Sequence, residues 1–234
     1  MSVRARLVRA GLRRAGAPYM GRAEQVLSQA LAHGIDLVVR QRGDLVARAA
    51  RERVRTSGEP AGRLATEAIR RRRNRLVATG AVTAAPGAAP GLGTAVAAAG
   101  ALADQSFALE QMTELVLEIG ALADRLPPES GDRLLDVYLV LGTAFGAARS
   151  LPRGRYEVEG TIIDPGGLRT LRPEERRAVA RRLVNRVLHR VSTRGAVRIL
   201  GREVPLGIGV AWAAGTNALA VRAVGKAARA YYDV

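Results

Sequence analysis

The chain contains no cysteine, which excludes disulfides, thiolate zinc sites and a cysteine nucleophile. Its two histidines, His33 and His189, lie far apart and have no ligating neighbours in sequence. Each reads as a packed or solvated residue and not as a metal ligand. Aromatic residues make up 3% of the 234, so the core must be filled by Leu, Val, Ala and Ile. That favours packed helices over stacked sheets. Acidic residues are scarce: 21 Asp and Glu stand against 37 basic residues, a net charge of +16. Catalytic signatures are missing as well. No HExxH, CxxC or GxSxG occurs. Gly91-Leu-Gly93 lacks the third glycine and the preceding strand of a dinucleotide-binding turn, and Val224-Gly225-Lys226 lacks the spacing and hydroxyl of a phosphate loop. The sequence therefore implies no cofactor, no metal and no identifiable small-molecule substrate, and it names no reaction.

The basic excess is almost all arginine, since Lys226 is the only lysine. Such charge must reside on a surface, where it attracts anionic lipid headgroups, nucleic acid or an acidic protein. The opening MSVRARLVRAGLRRAG has no apolar stretch of the kind a secretory signal needs, so a cytoplasmic protein is expected.

The chain is organised around Leu76–Gly120. Its first part, Leu76–Ala103, carries no charge and is built mostly from Ala, Gly, Val and Pro. Length alone would let it cross a bilayer, which takes about 20 apolar residues. Composition argues against an ordinary span: Pro86 and Pro90 break helical hydrogen bonding, and Ala and Gly contribute little transfer energy. The pattern predicts a helix end near Val77–Thr79, a turn at Ala85–Gly93 and a new helix from about Thr94. The resulting hairpin, 80–103, is either packed in a protein core or inserted shallowly in a membrane. From Asp104 to about Leu126 the chain reads as an amphipathic helix. Glu110, Glu114 and Glu118 recur every fourth residue and share one face. With Asp104, which is expected to cap that helix, they form a carboxylate cluster. It either binds a cation or shares protons, or it pairs with arginines such as Arg70–Arg73 or the Arg177–Arg190 face.

The remaining segments are mostly helical in pattern. Residues 2–15 form a basic amphipathic helix, in which Arg9, Arg13 and Arg14 are candidate lipid or anion contacts. Helices are expected at Arg22–Ala32, Gly34–Arg55 and Ala61–Ala78. The last of these carries Arg70, Arg71, Arg72, Arg73 and Arg75, either as a solvated face or as a phosphate-facing collar beside the hairpin. Pro127-Pro128 is expected to stop the acidic helix, and Ser130–Ala148 forms another. Residues 151–172 depart from helical periodicity: Tyr156–Gly160 and Thr161–Asp164 alternate as a short β-hairpin would. A basic helix follows, starting at Leu171–Glu175 with Pro173 in its first turn and running to about Val191. Val204–Ala220 then repeats the uncharged, glycine-rich theme around Trp212, and Val221–Tyr232 closes the chain. Trp212, Tyr231 and Tyr232 suit either a membrane interface or a core.

Two blocks together resemble the EcsC family of bacterial proteins. One is Gly80–Gly120, with its GAAPGLG turn, Ala103-Asp104 and the long helix ending in Ile119-Gly120. The other is Val204–Tyr232, PLGIGVAWAAGTNALAVRAVGKAARAYY. The resemblance implies a mostly helical protein associated with an ABC-transporter operon, with no established activity and no catalytic residues to carry over. The fold expected is all-α: one multi-helix domain of about eight to ten helices, Gly/Ala-rich central helical hairpins, and the small excursion at 151–172. Residues 1–60 supply basic N-terminal helices packed on an EcsC-like helical domain at 61–234.

The sequence is compatible with three functions. The first is a non-enzymatic, peripheral accessory protein at the inner face of the cell membrane, docking on anionic lipid or a membrane protein through its arginine-rich helices. Its hairpins, 80–103 and 204–220, would insert shallowly or pack on a membrane partner. The second is a nucleic-acid-binding module, which lacks a helix-turn-helix, an RRM or an aromatic stacking platform. The third is an enzyme or carrier with a carboxylate site at Asp104–Glu118.

Overall fold

The computed structural model describes residues 3–83, 94–158, 160–170 and 208–234, with side chains described for 29, 31–78, 106–158, 160, 162–167 and 218–234. Its elements are α1 (Val3–Ser57), α2 (Ala61–Thr83), α3 (Thr94–Leu122), α4 (Ser130–Phe145), β1 (Arg149–Ser150), β2 (Tyr156–Val158), β3 (Thr161–Ile163), α5 (Pro165–Thr170) and α6 (Ile208–Tyr232). The protein is mostly helical, with a small three-stranded antiparallel excursion. The turn at 85–93, the basic helix at 171–191 and the start of the 204–220 segment lie outside the described residues.

Several boundaries differ from those the sequence suggests. Residues 3–57 form one helix instead of three. Gly43 is a packing contact there: a Cβ at this position would lie 3.1 Å from Nη1 of Arg133, which rests on the bare backbone. α1 ends where Gly58 adopts φ 64° and its N–H reaches the Val54 carbonyl, a left-handed cap. α2 continues past Val77–Thr79 to Thr83. A single glycine in a helix costs only about 1 kcal/mol, less than the backbone bonds and packing an early turn would forfeit.

α3 stops at Leu122, before Pro127-Pro128 is reached. Asp124 takes φ 54°, its N–H donates to the Ala121 carbonyl, and the Arg125 N–H donates to Gly120 at 2.9 Å. This is a Schellman ending, with aspartate in the left-handed position that glycine usually fills. α4 closes the same way on Gly146, three residues earlier than expected.

The core is built around α3, which contacts α1, α2, α4 and α6. Gln111–Leu117 is buried at every position, so this helix has no free face along its middle. Leu115, Val116, Leu117 and Ile119 of α3 share one core with Leu135, Val137, Leu139 and Leu141 of α4 and with Leu64, Ala68, Val224 and Ala228 from α2 and α6. The excursion pairs β1-β2-β3 with Tyr156 opposite Ile163 and Glu157 opposite Ile162. Tyr156, Val158 and Ile163 turn inward, and Ile162 faces out. That alternation is what the sequence pattern at 156–164 anticipates, and β1 adds a strand outside the predicted range.

Helix directions follow from the contacts. Arg72 meets Glu118 and Arg75 meets Gln111, so α2 and α3 are antiparallel. Arg42 meets Glu114 and Arg51 meets Asp124, so α1 runs parallel to α3. Gly225 packs on Ile69 and Arg229 reaches Thr66, so α6 is antiparallel to α2. These directions bring the C-terminal end of α2, the N-terminal part of α3 and the N-terminal part of α6 to one end of the bundle.

Candidate functional site

The acidic row of α3 is an ion-paired ladder. Arg42 of α1 donates to Glu110 and, at 2.8 Å, to Glu114. Arg72 of α2 donates to the other Glu114 oxygen at 2.6 Å, to Glu118 at 3.0 Å and to the Gln111 amide oxygen. Arg71 takes the second oxygen of Glu118 at 2.7 Å. Arg72, Glu114 and Glu118 are nearly buried, whereas Arg42 and Arg71 close the ladder at the surface. Burial works to raise the Glu114 carboxyl, but hydrogen bonds from Arg42 and Arg72 and their charges outweigh it and hold the group below the usual carboxylate range. The same contacts raise Arg42.

In this arrangement the carboxylate oxygens of Glu110, Glu114 and Glu118 accept from guanidiniums. Among the described residues no cluster of acids or histidines has the form of a metal site. Asp104 lies inside α3, which starts at Thr94, so it does not cap that helix. Arg70–Arg73 are divided by helical phase. Arg71 and Arg72 turn to the ladder, Arg73 bonds the side chain of Asn74, and Arg70 is exposed with no ion pair among the described residues. Arg9, Arg13 and Arg14 lie on the N-terminal part of α1.

A second polar locus holds the opposite end together. Asp136 of α4 is fully buried and accepts from Tyr231 at 2.5 Å and Tyr232 at 3.2 Å. The Tyr231 ring also lies 5.6 Å from Tyr156 of β2, which ties the excursion to the helices. Nearby, Arg133 donates to the carbonyls of Pro127 and Pro128 and to Asp44 of α1 at 2.6 Å. The guanidinium holds the exposed Asp44 carboxyl below its ordinary value. These are joints of the scaffold. Tyr231 and Tyr232 thereby belong to the core. Sequence reading missed both joints, although an aspartate inside the apolar run Leu134–Leu141 was a visible signal for one of them.

The remaining feature is the end of the bundle where the uncharged segments meet. Leu76–Thr83 of α2, Thr94–Ala103 of α3 and Ile208–Val221 of α6 carry no charged residue. Val77 is 40% exposed there and Leu219 64%; Leu37 and Leu45 of α1 are exposed to a similar degree. Next along the same helices come the cations: Arg70, Arg73 and Arg75 on α2, Arg222 and Lys226 on α6. Arg222, Lys226 and Arg229 are spaced four and three apart and line, with Ile69 and Val234, a groove of about 430 Å³ between α2 and α6. No described helix is long and apolar enough to cross a membrane.

No family model, curated protein or solved structure matches this chain. The resemblance to the EcsC family therefore rests on the residues quoted for it, and no role for any side chain comes from outside the molecule.

Proposed function

We propose that this protein is a non-enzymatic accessory protein that docks on the inner face of a membrane through one end of its helical bundle. The observation that carries the reading is the convergence of three charge-free helix segments at that end, with a band of arginines behind them. Exposed Val77 and Leu219 offer apolar contact without the length for a span. Arg70, Arg222 and Lys226 are exposed and have no ion pair among the described residues, so their charge is available to anionic headgroups. Each cation near such a surface contributes about 1 kcal/mol, which falls away within a Debye length. The basic N-terminal part of α1, whose sequence carries Arg9, Arg13 and Arg14, runs toward the same end because α1 is parallel to α3. A link to an ABC-type transporter rests on the EcsC resemblance alone.

The test is flotation of the full chain with neutral and anionic vesicles at low and high salt. Binding to anionic vesicles that weakens with salt is the expected result. An Arg70→Gln/Lys226→Gln double variant removes two exposed cations and should bind about tenfold or more weakly. Absence of flotation, with salt-dependent binding to DNA instead, would reject membrane docking in favour of nucleic acid.

A further inference from the structure

α2 and α6 approach closely where Gly225 meets Ile69 and leave beside that contact the groove of about 430 Å³. Ile69 gives it an apolar lining, and Arg222, Lys226 and Arg229 follow its α6 side. These cations are not alike. Arg229 is held in place: its Nε donates to the main-chain oxygen of Val234 at 2.9 Å and its Nη1 to the Thr66 hydroxyl at 3.3 Å. Arg222 and Lys226 are exposed and meet no acidic side chain among the described residues. The sequence around them explains why. α6 contains no Asp or Glu, and the one acid of α2, Glu67, is bonded to Arg53 of α1. Three cations therefore line one groove without an acidic side chain among them, which favours an anion there.

The groove also has a direction. Leu219 precedes Arg222 by about one turn, and Leu219, Arg222, Lys226 and Arg229 lie on one stripe of α6. The antiparallel register set by Gly225 with Ile69 and Arg229 with Thr66 brings Leu219 level with residues 75–77 of α2. Val77 stands there, eight residues after Ile69 and so returned to the same side of its helix. Both apolar side chains are exposed. At a rise of about 1.5 Å per residue, Leu219 lies about 5–10 Å from Arg222 and Lys226, toward the charge-free end. A molecule with an anionic head and an apolar tail matches both halves.

We propose that this groove binds one phospholipid by a phosphomonoester headgroup, with the phosphate at Arg222 and Lys226 and the acyl chains running past Leu219 and Val77. A phosphomonoester exposes one more acceptor oxygen and more charge than a diester, which suits two free cations beside a third. The choice of a lipid as the source of the phosphate rests on membrane docking at the adjoining charge-free end.

The test uses dihexanoyl phosphatidic acid, kept monomeric in solution, titrated into the full chain by calorimetry. Dihexanoyl phosphatidylglycerol and inorganic phosphate are the comparison probes. Arg222→Gln and Lys226→Gln each remove a free cation, and Leu219→Gln removes the apolar contact while keeping a residue that favours helix. Arg48→Gln, a charge loss on α1, is the control, and circular dichroism checks that each variant folds. Saturable binding of phosphatidic acid, tighter than of either comparison probe, is the expected result. Arg222→Gln and Lys226→Gln should weaken it about tenfold or more, Leu219→Gln severalfold and Arg48→Gln not at all.

Inorganic phosphate binding as tightly as the lipid would overturn the lipid assignment. No saturable binding, or binding indifferent to Arg222→Gln and Lys226→Gln, would overturn the site itself. Because the probe is monomeric, these results are separate from vesicle docking. Vesicles captured by a chain that does not bind the monomer would reject the groove alone, whereas monomer binding without vesicle capture would support the groove and reject docking.

Discussion

Gly225 marks a close approach of α2 and α6, since a Cβ there would sit 2.5 Å from two side-chain carbons of Ile69. Ile69 is branched and packed, so it cannot swing aside as a long side chain would. Gly225→Ala should therefore destabilise the fold by about 1–3 kcal/mol in chemical denaturation. Adding Ile69→Ala should recover part of that loss. An unchanged midpoint in the single variant would mean the helices are not this close. Asp136 is the polar counterpart. Asp136→Ala leaves two phenol hydroxyls without this acceptor and should cost about 3 kcal/mol, whereas Tyr231→Phe should cost about 1. Equal losses would show that packing, not hydrogen bonding, holds this joint. The Asp136 joint left a sign in the sequence, an acid in an apolar run, that was passed over. Arg133 left none, because one arginine among so many does not show that it will cross to α1 and to two proline carbonyls.

At the scale of elements, α3 and its ladder show what periodicity can and cannot give. Spacing of four put Glu110, Glu114 and Glu118 on one face. It did not say which cations would meet them, since Arg42 is 68 residues away from Glu110 in sequence. A run of four arginines likewise looks uniform in sequence, yet a helix turns about 100° per residue and sends successive side chains in different directions. Helix limits were read less well than helix existence, because left-handed caps at Asp124 and Gly146 decided them and prolines did not. The ladder has a pH consequence. Glu114 titrates below its unfolded value, so its contribution is present above that value and is lost as pH falls through the lower, folded one. Glu114→Gln should cost about 3 kcal/mol at neutral pH, as expected when one partner of a nearly buried pair is removed. It should also flatten the fall in stability below about pH 4.5. An acid limb as steep as that of the unmodified protein would contradict the assignment.

For the whole molecule, the all-α class with one β excursion was readable from composition and from the break in helical periodicity at 151–172. What the sequence could not convey is direction. Three uncharged segments stand far apart in the chain, and only the antiparallel and parallel packing of α2, α3 and α6 brings them to one end. Helix direction depends on long-range contacts such as Gly225 with Ile69 and Tyr232 with Gly120, which leave no local pattern.

That convergence is the central claim, and the chain carries its own probe for it. Trp212 is the single tryptophan and belongs to the uncharged part of α6. The decisive measurement is its fluorescence with anionic vesicles whose lipids are brominated at shallow acyl positions. A blue shift and strong quenching on binding, both reduced at high salt, are the expected result. Vesicle binding with the emission unshifted and unquenched would mean that another surface meets the membrane, and would contradict docking through this end.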